Sequence, residues 1–238
     1  MIFSETTGLL RFMPTESLAH LARVLRVTSE TFDSVVEAAA DVLLHGGIVA
    51  LPTDTLYGVS TLVQYSDKLY ALKKRTVGKP LGLFLADPAE ISQWARLTIS
   101  SRLARQLLPG PVTLIFNRLP SLAFNFNPQE DSVGIRVPDS PLVRAVSARL
   151  GQPLAQTSAN ISGSLKNPTC VEDFSSLLDR IDLVLDGGLI GKSGKGNTGA
   201  EGSTVVDLTQ DNYYRIIREG CALKRTEEVL RAAGIRPL

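Results

Sequence analysis

The sequence predicts an α/β fold, and three observations carry that reading. Short apolar runs rich in Val, Ile and Leu alternate with longer amphipathic stretches of helical spacing. Several of the short runs end abruptly in Thr, Ser, Asn or Arg, which is how α/β proteins build ligand loops at strand ends. Between a helical stretch and an apolar run from Leu81 to Ala86 lies a cationic turn, Lys73-Lys74-Arg75-Thr76-Val77-Gly78-Lys79-Pro80-Leu81, with four cations within seven residues.

The 238 residues suit one globular domain, placed here at residues 28–238, behind an N-terminal arm at 1–27. Lys and Arg number 25 against 24 Asp and Glu, a net charge of +1. That excludes a binder that coats its whole surface with nucleic acid, so the cationic turn is a local feature. Cys170 and Cys221 lie far apart with no metal spacing, which points to a reducing compartment and away from zinc. With His20 and His45 the only histidines, a His-based triad or metal centre is poorly supplied. No apolar run approaches the ~20 residues that cross a membrane. The arm combines Arg11, Arg23 and Arg26 with Ser and Thr, as transit peptides do, but Glu5 and Glu16 favour a disordered or loosely attached segment.

The elements follow in order. Ser34 to Leu44 has a helical apolar face, with Thr31 or Asp33 to cap it and Gly46-Gly47 to end it. Ile48 to Leu51 reads as a buried strand running into Pro52-Thr53-Asp54-Thr55-Leu56-Tyr57-Gly58. Those short polar residues fit a ligand loop and a self-capped turn equally well. Asp67 to Leu72 is helical, and Lys73 to Arg75 end that helix. Cations there stabilise the helix dipole by a few tenths of a kcal/mol, ~0.3. Lys79 lies beyond the helix, which favours an anion pocket for phosphate, fed by Lys and bidentate Arg. Helices are expected at Ala89–Arg96 and Ser100–Leu108, the latter stopped by Pro109-Gly110-Pro111.

Val112 to Phe116 reads as a strand, followed by a polar excursion from Asn117 to Asp131. Val133 to Pro138 is a strand carrying one charge, Arg136, which must be paired, face a ligand or sit on a solvated edge. Pro141 to Leu150 is a helix, and Pro153 to Thr157 a strand opening into Ser158-Ala159-Asn160. Glu172 to Leu178 is helical, and Leu183 to Leu185 is a strand. The stretch Gly191 to Gly199 looks like a P-loop, but that motif needs Gly where Asp186 stands and a helix behind it. Closing over a ligand is the role left to it. Ser203 to Leu208 and Tyr214 to Gly220 are strands, and Thr226 to Ala233 is a closing helix with Glu227 and Glu228 in its first turn.

Strand ends thus deliver Thr53, Arg136, Ser158 with Asn160, and Ser203, while the turn and Arg218 add positive charge. No hydrolase-type acid–base pair or nucleophile elbow appears. The chemistry is positioning and charge neutralisation, as in nucleotidyl or phosphoryl transfer.

In this order the motifs resemble the YrdC-type threonylcarbamoyl-AMP synthases, particularly the single-domain animal form. The matching stretches are Pro52–Gly58, Lys73–Leu81, Pro109–Leu114, Gly134–Pro138, Ser158–Asn160, Gly202–Leu208 and Ile216–Leu223, within a span from Phe32 to Ala233. The resemblance implies a twisted mixed parallel and antiparallel sheet flanked by helices, with a deep, positively charged cavity. It implies a nucleotidyltransferase that turns L-threonine, bicarbonate and ATP into threonylcarbamoyl-AMP and pyrophosphate. The product then passes to a tRNA threonylcarbamoyl transferase complex, KEOPS or its mitochondrial counterpart, for threonylcarbamoyladenosine formation in tRNA. It further implies Mg²⁺ held mainly through the ATP phosphates, and work in the cytoplasm with the mitochondrion as a second site. By resemblance, Lys73, Arg75 and Lys79 are catalytic, Thr53, Arg136 and Ser203 hold threonine, and Arg75, Lys79, Ser132, Ser158, Asn160 and Arg218 hold ATP.

Three positions depart from the family pattern: Glu219 after Arg218, Gly202 before Ser203, and Lys166 eight residues after Ser158. Two other readings compete. One is a non-catalytic module that binds double-stranded RNA or tRNA, against which the low charge and few aromatics weigh. The other is a carbamoyl-transfer domain like that of hydrogenase maturation proteins, normally fused to zinc segments whose cysteines are missing here.

Overall fold

The computed structural model of the protein describes residues 22–73, 80–160, 166–191 and 201–238. Arg75, Lys79 and nearly all of the Gly191–Gly199 stretch lie outside the described residues, as do the first 21 residues of the arm.

The strands are β1 (Arg23–Arg26), β2 (Val49–Pro52), β3 (Tyr57–Leu62), β4 (Gly82–Phe84), β5 (Ala95–Arg96), β6 (Val112–Arg118), β7 (Ser132–Arg136), β8 (Leu154–Ser158), β9 (Leu183–Asp186), β10 (Thr204–Asp207), β11 (Tyr213–Arg218) and β12 (Arg236–Pro237). The helices are α1 (Phe32–Leu44), α2 (Asp67–Leu72), α3 (Ile91–Trp94), α4 (Ser101–Leu107), α5 (Pro141–Leu150) and α6 (Leu223–Ala232), with a 3₁₀ segment at Val171–Arg180. The sheet runs β1-β9-β2-β3-β8-β4-β7-β6-β10-β11-β12, with β5 pairing β6. Neighbours are parallel at β1/β9, β9/β2, β4/β7, β6/β10 and β11/β12, and antiparallel elsewhere. The mixed sheet flanked by helices is as expected.

Strand periodicity splits the core into two layers. In β2, Val49 and Leu51 pack toward α1 and α5, while Ala50 packs to the other side. The same alternation puts Leu183 and Leu185 on the first side and Val184 on the second. Burial on both faces explains why these central strands read as unbroken apolar runs. Val35, Ala39 and Leu43 of α1 meet Leu142, Val143 and Val146 of α5 over that sheet face. Each fully buried Val or Leu there contributes about 1.5–3 kcal/mol. Gly46, at φ +77°, ends α1 as expected.

Four sequence expectations need correction. β3 was not expected, because Gly58, Ser60 and Thr61 interrupt any apolar run. It is nonetheless wholly buried, and its hydroxyls are satisfied within the fold: Thr61 Oγ1 donates to Gly47 O at 2.9 Å and Ser60 Oγ to Gln156 Oε1 at 2.9 Å. The boundary at residue 27 cuts through structure, since β1 pairs in parallel with β9 and Arg26 bonds Asp186 at 2.7 Å. The helix expected to reach Arg96 stops at Trp94, and Ala95–Arg96 pair with the open edge of β6. The last helix starts at Leu223, one turn earlier than expected, so Glu227 and Glu228 lie mid-helix. No helix among the described residues is long and apolar enough to cross a membrane.

Candidate active site

Three glycines open a hollow on the sheet. Gly58 pairs with Ser158, Gly82 with Gln156 and Gly134 with Ile115. Leu83 pairs with Ile135, so Gly82 and Gly134 lie side by side one step back on their parallel strands. A Cβ on Gly58 would stand 2.1 Å from Gln156 Nε2, and one on Gly82 2.9 Å from the Phe84 ring. The missing side chains leave a cavity of about 680 Å³. Thr53, Lys73, Ser132, Arg136, Ser158, Asn160, Ser203 and Arg218 all line it. These are all of the predicted site residues that the structure describes.

Arg136 ends β7 in the middle of the sheet, so the edge reading is out. It is 5% exposed. Its Nη2 donates to an Asp54 carboxylate oxygen and to Thr55 Oγ1 at 2.9 Å, and its guanidinium lies 5.5 Å from the Phe84 ring centroid. Asp54 in turn accepts from Asp139 N at 3.1 Å. Arg136 Nε is buried with no hydrogen-bond partner among the described residues. Burial pushes the Arg136 pKa down, against the pull of Asp54.

Arg218, at the end of β11, reaches back to Ser203. Its Nε and Nη2 donate to Ser203 O at 3.1 and 2.8 Å, and Nη2 also to Ser203 Oγ at 3.0 Å. Ser203 Oγ lies 2.9 Å from Thr113 Oγ1. Gly220 makes this approach possible, because a Cβ there would meet Gly202 O at 2.4 Å. The Arg218 pKa is pushed down by burial and, next, by Arg136. Both guanidiniums line the cavity, and among the described residues Asp54 is hydrogen-bonded only to Arg136.

Lys73 is the C-cap of α2 and is buried. Its ammonium turns toward the tip of β8, donating to Ser158 O at 2.6 Å and Asn160 Oδ1 at 3.0 Å. Ser158 Oγ also donates to Asn160 Oδ1, at 2.7 Å. A solvated cation serving the helix dipole is not what this geometry shows. At Thr53 both sequence readings hold together. Its hydroxyl donates to Leu56 O at 2.7 Å and accepts from Thr55 N at 3.1 Å, a self-capped turn, and that turn forms the cavity wall.

Sequence reasoning passed over Asp54, Thr113 and Gln156. Asp54 stood in plain view beside Thr53, and the rule that a buried Arg needs a partner was the signal for it. Thr113 and Gln156 carried no local signal, because only cross-strand register brings them to the cavity. Lys166 pairs with Asp173 at 2.8 Å and is absent from the cavity lining, whereas Glu201 and Glu219 bring carboxylates to it.

The Sua5/YciO/YrdC family, described as "Telomere recombination", matches residues 41–220. The threonylcarbamoyl-AMP synthase of Bos taurus is 40% identical over 205 residues, 85% of this chain and 74% of that one. The Homo sapiens threonylcarbamoyl-AMP synthase is 40% identical over 198 residues, 82% and 70% of the two chains. P. abyssi Sua5, solved in complex with L-threonine, superposes with a TM-score of 0.77 at 26% identity, covering 92% of this chain and 62% of that one. This chain thus spans less than two thirds of that protein. E. coli YciO matches in fold, with a TM-score of 0.72 at 23% identity. With 180 residues matched by its model, this chain belongs to the Sua5/YciO/YrdC family.

Proposed function

We propose that this chain is a threonylcarbamoyl-AMP synthase, a nucleotidyltransferase that joins L-threonine, bicarbonate and ATP. One observation carries the reading: two guanidiniums, the buried one of Arg136 and the more exposed one of Arg218, line one cavity in which, among the described residues, Asp54 is hydrogen-bonded to Arg136 alone. Guanidiniums so placed can receive anionic groups, and a carboxylate beside a polyphosphate supplies one for each. The relatives named for this activity, and the threonine complex of P. abyssi Sua5, support the same substrate class. They also weigh against the RNA-binding alternative.

In this reading Arg136 takes the threonine carboxylate, with Thr53 and Ser203 beside it. Lys73, Ser158, Asn160 and Arg218 take the nucleotide, joined by Arg75 and Lys79, and Ser132 adds a further nucleotide contact. The threonine amine and bicarbonate first give the carbamate, with loss of one water. A carbamate oxygen then attacks the α-phosphorus, and pyrophosphate leaves. The residues supply no proton relay. They hold the two anions in line and offset charge as it grows on the phosphorus, with donors fixed in place before the step. Mg²⁺ takes oxygen ligands and keeps several waters, so it enters with ATP, held mainly by phosphates. Glu201 and Glu219 are the lining carboxylates, among the described residues, available to its water shell. The product goes on to a tRNA threonylcarbamoyl transferase complex, KEOPS or a mitochondrial counterpart, and the cytoplasm, with the mitochondrion second, is where that hand-over belongs.

The test is an omission assay for pyrophosphate release, with the nucleotide product weighed by mass spectrometry. Release should need ATP, threonine and bicarbonate together. Unchanged release without threonine refutes the substrate assignment.

A further inference from the structure

The polar excursion between β6 and β7 supplies neither substrate set, yet it is folded around one side chain. Arg118, at the end of β6, donates from Nη1 to the carbonyls of Phe126, Asn127 and Glu130 and from Nη2 to those of Leu122 and Ala123, at 2.7–3.3 Å. Leu122 and Phe126 are buried, which seats the excursion on the core. The residue it presents there is Asn127, also buried, at φ +48°. That left-handed region is one Asn enters more readily than most residues.

The Asn127 carboxamide pairs with Leu81 as a neighbouring strand would. Oδ1 accepts from Leu81 N at 2.9 Å, and Nδ2 donates to Leu81 O at 2.9 Å. Turning the amide over would lose both bonds, so its orientation is fixed. Oδ1 also accepts from the Tyr70 hydroxyl at 2.6 Å.

Tyr70 and Leu81 bracket the cationic turn. Tyr70 is in α2, three residues before Lys73, and Leu81 directly follows Lys79-Pro80. One side-chain oxygen therefore holds both ends of the stretch that contains Lys73, Arg75 and Lys79. Lys73, Pro80 and Leu81 line the cavity, whereas Asn127 does not. Pinning both ends of a segment reduces the conformations open to it, so less entropy is lost when a ligand is bound. The residues given to threonine are held by other partners: Thr53 by Leu56, Arg136 by Asp54 and Thr55, and Ser203 by Thr113 and Arg218.

We propose that Asn127 is a positioning residue for nucleotide binding, which staples the two ends of the cationic turn so that the turn receives the triphosphate with little reordering. This rests on the synthase reading.

The experiment compares wild type, Asn127→Gly, Tyr70→Phe and the double variant. It measures pyrophosphate release with ATP and threonine varied in turn, and calorimetric titrations of ATP alone and L-threonine alone. Gly removes the amide without strain at positive φ. Asn127→Gly should lower kcat/KM for ATP by on the order of 100-fold, the loss a misplacement of about 1 Å produces. Tyr70→Phe should lower it by roughly fivefold, the weight of one hydrogen bond. The double variant should lose no more than Asn127→Gly, because the two changes remove one shared bond. The affinity for threonine alone should stay unchanged in all of them. If melts show that Asn127→Gly does not fold, Tyr70→Phe, which leaves both Leu81 bonds in place, decides the question. An unchanged kcat/KM for ATP in a folded variant overturns the proposal. So do equal losses of ATP and threonine affinity, the mark of a general scaffold residue, and fully additive losses in the double variant. Wild type that binds ATP but releases no pyrophosphate with all three substrates overturns the synthase reading instead, and the staple is then judged on the calorimetric ATP affinities of the same variants.

Discussion

Asp54→Asn probes the charge that holds Arg136. The two side chains are 6% and 10% exposed, so the pair is buried. Removing one partner of a buried pair costs about 3–5 kcal/mol, because the other charge is left without compensation. Asn still offers Arg136 one acceptor, and the bond to Thr55 Oγ1 at 2.9 Å remains. The lower end therefore applies, about 3 kcal/mol. At about 2–4 °C per kcal/mol for a chain of this size, the melting temperature should fall by roughly 6–12 °C. If Arg136 receives the threonine carboxylate, the ligand brings back a negative charge. Threonine at about 100 times its Kd adds about 2.7 kcal/mol, which brings the variant most of the way back to threonine-free wild type. Thermal melts of wild type and variant across a threonine titration measure both effects. A variant that melts within about 2 °C of wild type refutes the buried-pair argument. A variant that is destabilised but gains nothing from threonine, while wild type does, refutes the carboxylate assignment.

Arg136→Ala should raise the KM for threonine far more than that for ATP, and Lys73→Met should do the reverse; steady-state kinetics that show equal shifts would sink the division of the cavity. Gly220→Ala forces a Cβ to within 2.4–2.5 Å of Gly202 and Ser203–Thr204 backbone. It should cost up to about 3 kcal/mol in urea denaturation, and weaken ATP binding by moving Arg218. Burial pushes the Tyr57 hydroxyl up to about 12, while its bonds to Gly187 and Gly188 tie it in place. The unfolded phenol ionises near pH 10, so stability is whole below that value and falls as pH rises toward 12, by about 2 kcal/mol. In Tyr57→Phe that fall should be missing from melts taken across the same window.

Much of the layout is legible residue by residue. α1 and α5 follow from apolar spacing and from the Gly and Pro at their ends, β2 and β9 from short apolar runs, and β6 from its apolar and β-branched content. β3 escapes because Gly58, Ser60 and Thr61 are there to serve partners on other strands and the cavity, so no local pattern exposes them. β1 and β5 escape because each is held by the backbone it pairs with, and Arg23–Arg26 and Ala95–Arg96 are too short to carry an apolar stripe. Thr53, Arg136, Ser158 and Ser203, read from strand ends, line one cavity, because a strand buried along its length leaves its end as the place for a polar side chain.

By itself the sequence determined the chemical parts: which side chains carry charge, which strand tips are polar, and where the chain must turn. Those depend on neighbours within a few residues. Only the tertiary structure decided that Asp54 faces Arg136 across 82 residues, that Lys73 turns in to Ser158, and that Gln156 lies over Gly58. Each of these depends on cross-strand register, where a shift of one residue sends a side chain to the opposite face of the sheet. Register is settled by packing the whole sheet against its helices, and no local stretch of the chain contains that information.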